Sequence, residues 1–302
     1  MTHPITVALI TFNRASFLRQ NVPRLLALLG RQDECLIIDN NSTDDTGEYL
    51  ASLAHPNIRV MSVERQGLNV CRNVALKEAR FDYIAFIDDD AYPDPAWLAS
   101  LRQALDRHSS AYAIYAGKTL IEYEIERPAF LARKFDYLLG GKDYGQAFRG
   151  LQRRESPGGG NMMVDRRVIR ALGGFDEQFD RKGTSLLSNG ETELVERIRA
   201  QGGCILYVPD VVIYHWAGAE RLNRQWLLKR MYWQGLSDGF LALKSNTYTR
   251  LIMMRLLSHL IRLPLEVVTG LRAPATILFT IELEVAKTKG IVRSARQRIE
   301  NV

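Results

Sequence analysis

Through the first ninety residues, short β-branched and aliphatic runs alternate with stretches whose apolar positions recur every three or four residues. That alternation predicts strands interleaved with helices around a mainly parallel, Rossmann-like open sheet, an α/β fold. Residues 5–11, 35–39, 58–63 and 83–88 read as four strands, and residues 17–29, 46–54 and 70–79 as the helices between them. In the first helix, Phe17, Val22, Leu25, Leu26 and Leu29 form the apolar face. Asp94 and Pro95 read as the N-cap and first position of a fourth helix. Residues 112–117 follow as a strand, and residues 166–172 as a helix closed by Gly173 and Gly174.

Three of the strands run straight into polar residues: Thr11 into Asn13 and Arg14, Asp39 into Asn40 and Asn41, and the fourth strand into Asp88, Asp89 and Asp90. Ligands of open α/β sheets bind at the carboxyl ends of strands, so these termini should share one crevice. Asp is a poor strand former and adjacent carboxylates repel, so the triplet asks for a compensating cation. In extended chain, Asp88 and Asp90 point to one side and Asp89 to the other. The result is a D-x-D pair of hard oxygen ligands, suited to Mg2+ or Mn2+ bridging a diphosphate. A solvated acidic turn, favoured by Pro93 and Pro95, is the alternative. For Asp39, the alternatives are a bond to a base or ribose edge and a polar turn through residue 45.

Residues 122–154 are rich in aromatics and charges without a clean period, which predicts a loop region covering the site. Gly158, Gly159 and Gly160 then remove side chains where a ligand or another backbone approaches; for Gly158 the plain turn is favoured. Ser188 and Glu191 have capping-box spacing at the mouth of a helix, where Glu191 can also serve as a proton acceptor, with Glu193 as the second candidate. Residues 211–214 form a strand ending at His215, an imidazole that can complete a metal's shell or simply pack.

At 302 residues and 46% apolar composition, the chain can bury one large core or one domain plus an appendage. No uncharged apolar run reaches eighteen residues and no leader pattern appears, so a cytoplasmic chain without a spanning helix is expected. Cys35, Cys71 and Cys204 lack C-x-x-C spacing and read as reduced core thiols. Most of the net charge of +6 lies after residue 249, where nine Lys/Arg face four Asp/Glu. A basic nucleic-acid groove across the main domain is therefore excluded, and no G-x-G-x-x-G follows the first strand.

The stretches VALITFNR (7–14), IIDNNSTDDT (37–46), GLNVCRN (67–73), YIAFIDDDAYPDPAWL (83–98), GGNMMVDRRVIRALGGFD (159–176) and YVPDVVIYH (207–215) occur in order. Together they resemble family 2 glycosyltransferases of the GT-A fold, especially bacterial polysaccharide-assembly members. The resemblance implies inverting transfer of a sugar from a nucleotide diphosphate sugar to an acceptor hydroxyl. It implies that Thr11, Asn13, Arg14 and Asp39 hold base and ribose, with Arg72, Asp88 and Asp89 also serving the nucleotide. Gly159, Gly160 and Asn161 fall in the sugar-facing region. Asp90 would ligate Mn2+ or Mg2+ with Asp88, and His215 would be a further ligand. The family often has Glu-Asp before the late helix; here Gly190, Glu191, Thr192 and Glu193 stand there, and aligning on Leu194 puts Glu191 at the base position. The Gln-x-x-Arg-Trp motif of processive synthases is absent, which implies one sugar per encounter.

A boundary after residue 235 is expected, followed by a helical, basic, amphipathic segment. Arg255, Ser258, His259 and Arg262 make a narrow polar stripe on an otherwise apolar stretch that Pro264 ends. A second apolar stretch covers 275–285, and a basic one 287–298. Contact of residues 250–302 with the inner face of the cell membrane, alongside a lipid-linked or sugar acceptor, is one expectation; packing on the catalytic domain or a second copy is the other. The rival functions are a nucleotide-sugar-binding scaffold without catalysis and, more weakly, a nucleotidyltransferase.

Overall fold

The computed structural model describes residues 3–108, 112–181, 185–255, 257 and 274–297. They form two compact units: Met1–Glu122 with Gly140–Asp180 and Gly190–Trp216, and Tyr123–Leu139 with Arg181–Asn189 and Ala217–Val302.

The first unit opens with β1 (Ile5–Thr11), α1 (Ala15–Leu26), β2 (Glu34–Asp39), α2 (Thr46–Ala51), β3 (Ile58–Ser62), α3 (Leu68–Glu78) and β4 (Tyr83–Asp88). It continues through β5 (Ala91–Pro93), α4 (Trp97–His108), β6 (Ile114–Tyr123), β7 (Arg149–Gly150), β8 (Asn161–Asp165), α5 (Arg166–Ala171), α6 (Gly190–Ala200) and β9 (Ile205–Ala217). The sheet order is β3-β2-β1-β4-β8-β6-β9-β5, with β7 on β9. The first four strands of that order pair in parallel. β8 is antiparallel to β4 and β6, and β9 to β5 and β7. The sheet is thus mixed: the chain returns antiparallel once the β-α-β pattern stops after β4.

Both sheet faces are covered, which explains why the parallel strands read as continuous apolar runs. Val7, Leu9, Cys35, Ile37, Ala85 and Ile87 pack with Leu18 and Val22 of α1 and Leu98 and Leu101 of α4. The alternate positions Ala8, Leu36, Ile38, Ile84 and Phe86 pack with Cys71 and Ala75 of α3 and Leu194 and Ile198 of α6. β9 runs through Pro209 without a break. Its pairing with β7 involves Leu206 and Tyr207 and that with β5 involves Ile213 to His215, so Pro209 falls between the two ladders. Cys35 and Cys71 are buried as expected, but Cys204 is exposed because it follows the Gly202–Gly203 turn ahead of β9.

In the second unit, α7 (Arg224–Lys244) packs along α8 (Pro274–Ser294). A side chain at Gly235 or Gly290 would stand 2.0 Å from Lys287 O and Tyr232 O respectively, so the helices touch through backbone there, and one at Gly239 would stand 2.0 Å from Ser294 Oγ. The partly buried Asp238 accepts from Asn189 Nδ2 and Gln234 Nε2, both at 2.9 Å, and pairs with Lys287 Nζ at 2.7 Å. The expected boundary at 235/236 lies inside α7, and the compact units divide elsewhere. Within 122–154 much of the chain is irregular, as expected, but part of it is packed, and a side chain at Gly140 would stand 3.7 Å from His215 Cε1. Leu131, Phe135, Leu138 and Leu139 are buried, and Phe130 and Phe135 meet Phe279 edge-on at 4.9 and 5.5 Å. Of the expected basic stripe only Arg255 is described; Ser258, His259, Arg262 and Pro264 lie outside the described residues. The second apolar stretch and the basic one after it are largely a single helix, α8. No described helix is long and apolar enough to cross a membrane.

Candidate active site

Strand register assembles the site. Ile10 of β1 pairs with Asp88 of β4, and Thr11 with Asp39 of β2, so the three polar strand ends lie side by side. On the other side of β4, Ile87 pairs with Asn161, which sets Gly160 against Asp88. After the chain turns at Asp89 and Asp90, Ala91 pairs with His215 and brings the imidazole to the acidic triplet.

His215 Nε2 lies 3.1 Å from Asp90 Oδ1 and 3.9 Å from Asp88 Oδ2. Ligand atoms of Asp88, Asp90 and His215 all fall within 4.8 Å of one another. Two carboxylate oxygens and an imidazole nitrogen converging this closely fit a single divalent ion of the Mn2+ or Mg2+ type. Asp90 is buried and Asp88 more than a third exposed, so the cluster opens to solvent on one side. Arg14 Nη1 lies 3.5 Å from Asp90 Oδ2 and offsets part of the negative charge. Asp89 is directed away to Thr11, as expected, although the chain leaves the extended form there: its Oδ2 accepts from the Thr11 hydroxyl at 2.8 Å. Burial, and then the charge of Asp90, push its carboxyl well above the usual carboxylate range.

A second cluster lies along the same glycines. Arg72, buried in α3, donates to Asn69 Oδ1 at 3.0 Å, lies over the Phe175 ring at 5.4 Å and pairs with Glu191 Oε1 at 2.8 Å. A side chain on Gly159 would stand 1.9 Å from Glu191 Oε1 and 2.2 Å from Arg72 Nη2, and one on Gly160 would stand 2.1 Å from Asp88 Oδ2. Two carboxylates thus lie against adjacent glycines of the backbone entering β8, Glu191 at Gly159 and Asp88 at Gly160. At Gly158 the nearest atoms are 3.4 Å away, ordinary contact, so the plain-turn reading suits it.

Several expected ligand residues also take part in the frame. Asn161 is fully buried: its Oδ1 accepts from Trp97 Nε1, and its Nδ2 donates to Lys118 O and Val211 O. With these three bonds its amide faces the interior, which corrects its placement in the sugar-facing region. Thr11 is committed to Asp89. Asn13, at φ 53°, uses its side chain to accept from Thr43 N and Asp44 N, and Asp39 Oδ1 accepts from Ser42 N and Oγ. Both contribute to turn geometry. Ser188 and Glu191 form no capping box: the serine hydroxyl donates to Gln234 Oε1 at 3.1 Å while Glu191 meets Arg72. Glu193 is buried against Arg197, whose Nε and Nη2 donate to it at 2.7 to 2.9 Å and whose Nη groups also reach Leu172 O and Gly174 O.

Sequence reading missed Asp180, which accepts from the Asn69 and Val70 amides at the start of α3 and so fixes the helix that carries Arg72. It also missed Asn40, which donates to Val63 O and Arg65 O and accepts from Gly67 N, tying the loop after β2 to the loop between β3 and α3. Its position right after Asp39 at a strand end was the available signal; Asp180 had none.

Comparison with known sequences now bears on this geometry. The profile described as Glycosyl transferase family 2 matches residues 6–173, over half of the chain. The chain belongs to glycosyltransferase family 2. Among similar proteins, the glucosyl-dolichyl phosphate glucuronosyltransferase of Haloferax volcanii is 26% identical over 215 residues, covering 69% of this chain and 66% of the relative. The GalNAc(5)-diNAcBac-PP-undecaprenol beta-1,3-glucosyltransferase of Campylobacter jejuni is 27% identical over 124 residues, 40% of this chain and 39% of the relative. The chain thus spans less than two thirds of the length of these relatives. Among solved structures, the mannosyltransferase PcManGT from Pyrobaculum calidifontis, in complex with GDP-Man and Mn2+, superposes with a TM-score of 0.65 at 16% identity, covering 98% of this chain and 88% of that one. GalNAc-T7 with UDP, GalNAc and Mn2+ gives a TM-score of 0.56 at 15% identity, over 79% and 51% of the two chains. These similarities show the GT-A glycosyltransferase fold.

Proposed function

We propose that this family 2 glycosyltransferase moves one sugar at a time from a nucleotide diphosphate sugar to an acceptor hydroxyl, with inversion at the anomeric carbon and with help from a divalent ion. Asp88, Asp90 and His215 would hold the ion, Mn2+ or Mg2+, which when bound offsets charge on the departing diphosphate. Glu191 takes the proton of the acceptor hydroxyl as its oxygen bonds to the anomeric carbon and the bond from that carbon to the diphosphate oxygen breaks. Arg72 fixes the orientation of Glu191, and Arg14 lies toward the anionic end of the donor. The observation supporting this reading is the two-glycine approach, at which Glu191 comes close to Gly159 and Asp88 to Gly160 along one stretch of bare backbone. Glu193 is the weaker base because both its oxygens are engaged by Arg197.

A lipid-linked acceptor is the favoured class, since two relatives are named for dolichyl phosphate and undecaprenol substrates. Glycolipid or cell-surface glycan assembly follows from that choice. The test is a screen of nucleotide diphosphate sugars against polyprenyl-linked and free sugar acceptors with Mn2+ or Mg2+, reading the anomeric configuration of the product by NMR. Transfer with inversion supports the reading. Donor binding without transfer in every combination would favour a scaffold.

A further inference from the structure

The outer face of α8 mixes exposed aliphatic and basic side chains. Leu278, Val285 and Val292 recur every seven residues and are 53%, 46% and 45% exposed, so they line one face of the helix. Lys289, Arg293 and Arg296 lie exposed on the same face, around a shallow depression also bordered by Val285, Thr288 and Val292. The opposite face buries Phe279, Leu283 and Ile291. The helical residues 248–255 run alongside: Tyr248 Oη donates to Ile291 O at 2.8 Å and Arg255 pairs with Glu284 at 2.7 Å. Met253, Met254 and Leu257, 65%, 43% and 57% exposed, add aliphatic surface to that unit.

Charge bookkeeping decides what fits this face. The acidic residues of α8 are engaged within the unit, Glu282 with Arg224 at 2.6 Å and Glu284 with Arg255, and Lys287 is engaged by Asp238. Lys289, Arg293 and Arg296 have no carboxylate partner among the described residues. A second copy docking here would set three cations against three cations. A protein partner is favoured by aromatic anchors seated in pockets, and this face has aliphatic side chains around a shallow depression. Alternating aliphatic and basic positions along one exposed helical face match the headgroup region of an anionic bilayer.

We infer that the outer face of α8 is a peripheral docking surface for anionic membrane lipid. Leu278, Val285 and Val292 enter the headgroup boundary while Lys289, Arg293 and Arg296 pair with lipid phosphates. Each basic residue near such a surface contributes about a fivefold gain in partition, so the three together contribute on the order of a hundredfold. The inference does not depend on the assigned chemistry, because docking requires neither donor nor acceptor.

The test is co-sedimentation of the full chain with vesicles of phosphatidylcholine alone or mixed with phosphatidylglycerol, at low and high salt. Expected are binding to the anionic vesicles only, weakening with salt, and a loss of roughly a hundredfold in Lys289→Glu/Arg293→Glu/Arg296→Glu. A Val285→Ser/Val292→Ser variant, which keeps the charge, should lose binding to a smaller degree, and circular dichroism should find both variants folded. Equal binding to neutral vesicles, no binding to anionic ones, or unchanged binding by the charge-reversed variant overturns the inference. So does a dimer in size-exclusion light scattering that charge reversal abolishes.

Discussion

Gly160→Ala is the smallest change that reaches the ion-holding cluster. The added carbon would stand 2.1, 2.2 and 2.7 Å from Asp88 Oδ2, Cγ and Oδ1, where real contacts essentially never fall below 3.0 Å. The Asp88 carboxylate must therefore withdraw by about 0.9 Å, taking the nearer distance against that limit. Gly160 has no left-handed backbone to forbid alanine, so the perturbation is confined to Asp88. A misplacement of about 1 Å at a reacting centre costs around a hundredfold in rate, or about 2.7 kcal/mol. Stability should change little, since Asp88 is partly exposed and can swing outward. The assay is kcat/KM with Mn2+ beside calorimetric titration of the ion, with the neighbouring glycines as internal comparison. Gly158→Ala should keep activity within about twofold, whereas Gly159→Ala should lower the rate by displacing Glu191 while leaving ion affinity nearly intact. Wild-type rate and ion affinity in Gly160→Ala, or an equal loss in Gly158→Ala, would refute the reasoning.

Three further outcomes are expected. Glu191→Gln should reduce transfer by about 10² to 10⁴-fold with donor affinity retained, whereas Glu193→Gln should chiefly cost stability, on the order of 3 kcal/mol by denaturant titration, because Arg197 is left with an uncompensated charge. Equal kinetic losses in the two would undo the division of roles. Burial pushes the Cys35 and Cys71 thiols up to about 12, so iodoacetamide at neutral pH should modify Cys204 alone in the folded protein, as read by mass spectrometry; rapid labelling of Cys35 would contradict the packing. Burial would raise the Asp238 carboxyl, but the Lys287 charge and the bonds from Lys287, Asn189 and Gln234 outweigh it and hold it below the usual range. A depressed acid adds stability that is complete above its unfolded pKa of about 3.9 and is lost as pH falls through the lower folded value. Asp238→Asn should therefore flatten the fall in Tm below about pH 4, and an unchanged acid limb would contradict that coupling.

How much was legible follows the range of the interactions involved. The first four strands came within one residue of their observed ends: β1, β2 and β4 are buried and apolar over most of their length, whereas β3 is a partly exposed edge strand. The acidic strand end and the family resemblance together pointed to Asp88, Asp90 and His215, whose ligand atoms do lie within 4.8 Å of one another. The Glu193–Arg197 pair has helical i, i+4 spacing and was readable in principle. By contrast, Arg72 and Glu191 are more than a hundred positions apart, and only the packing of α3 beside α6 brings them together. Asn161 misled for the opposite reason. A polar residue after three glycines resembles a ligand contact, yet its amide satisfies buried groups from three other elements. The α7–α8 contact rests on glycines that read as helix-weakening, and its value appears only when the facing backbone is known.

The central claim is that the tip of β4 and His215 together grip a divalent ion needed for donor binding. Its most direct test is isothermal titration of Mn2+, and then of the donor, into wild type and Asp90→Ala. The account predicts saturable Mn2+ binding and Mn2+-dependent donor affinity in wild type, both lost in the variant while its Tm is retained. Undiminished Mn2+ and donor binding in Asp90→Ala would contradict it.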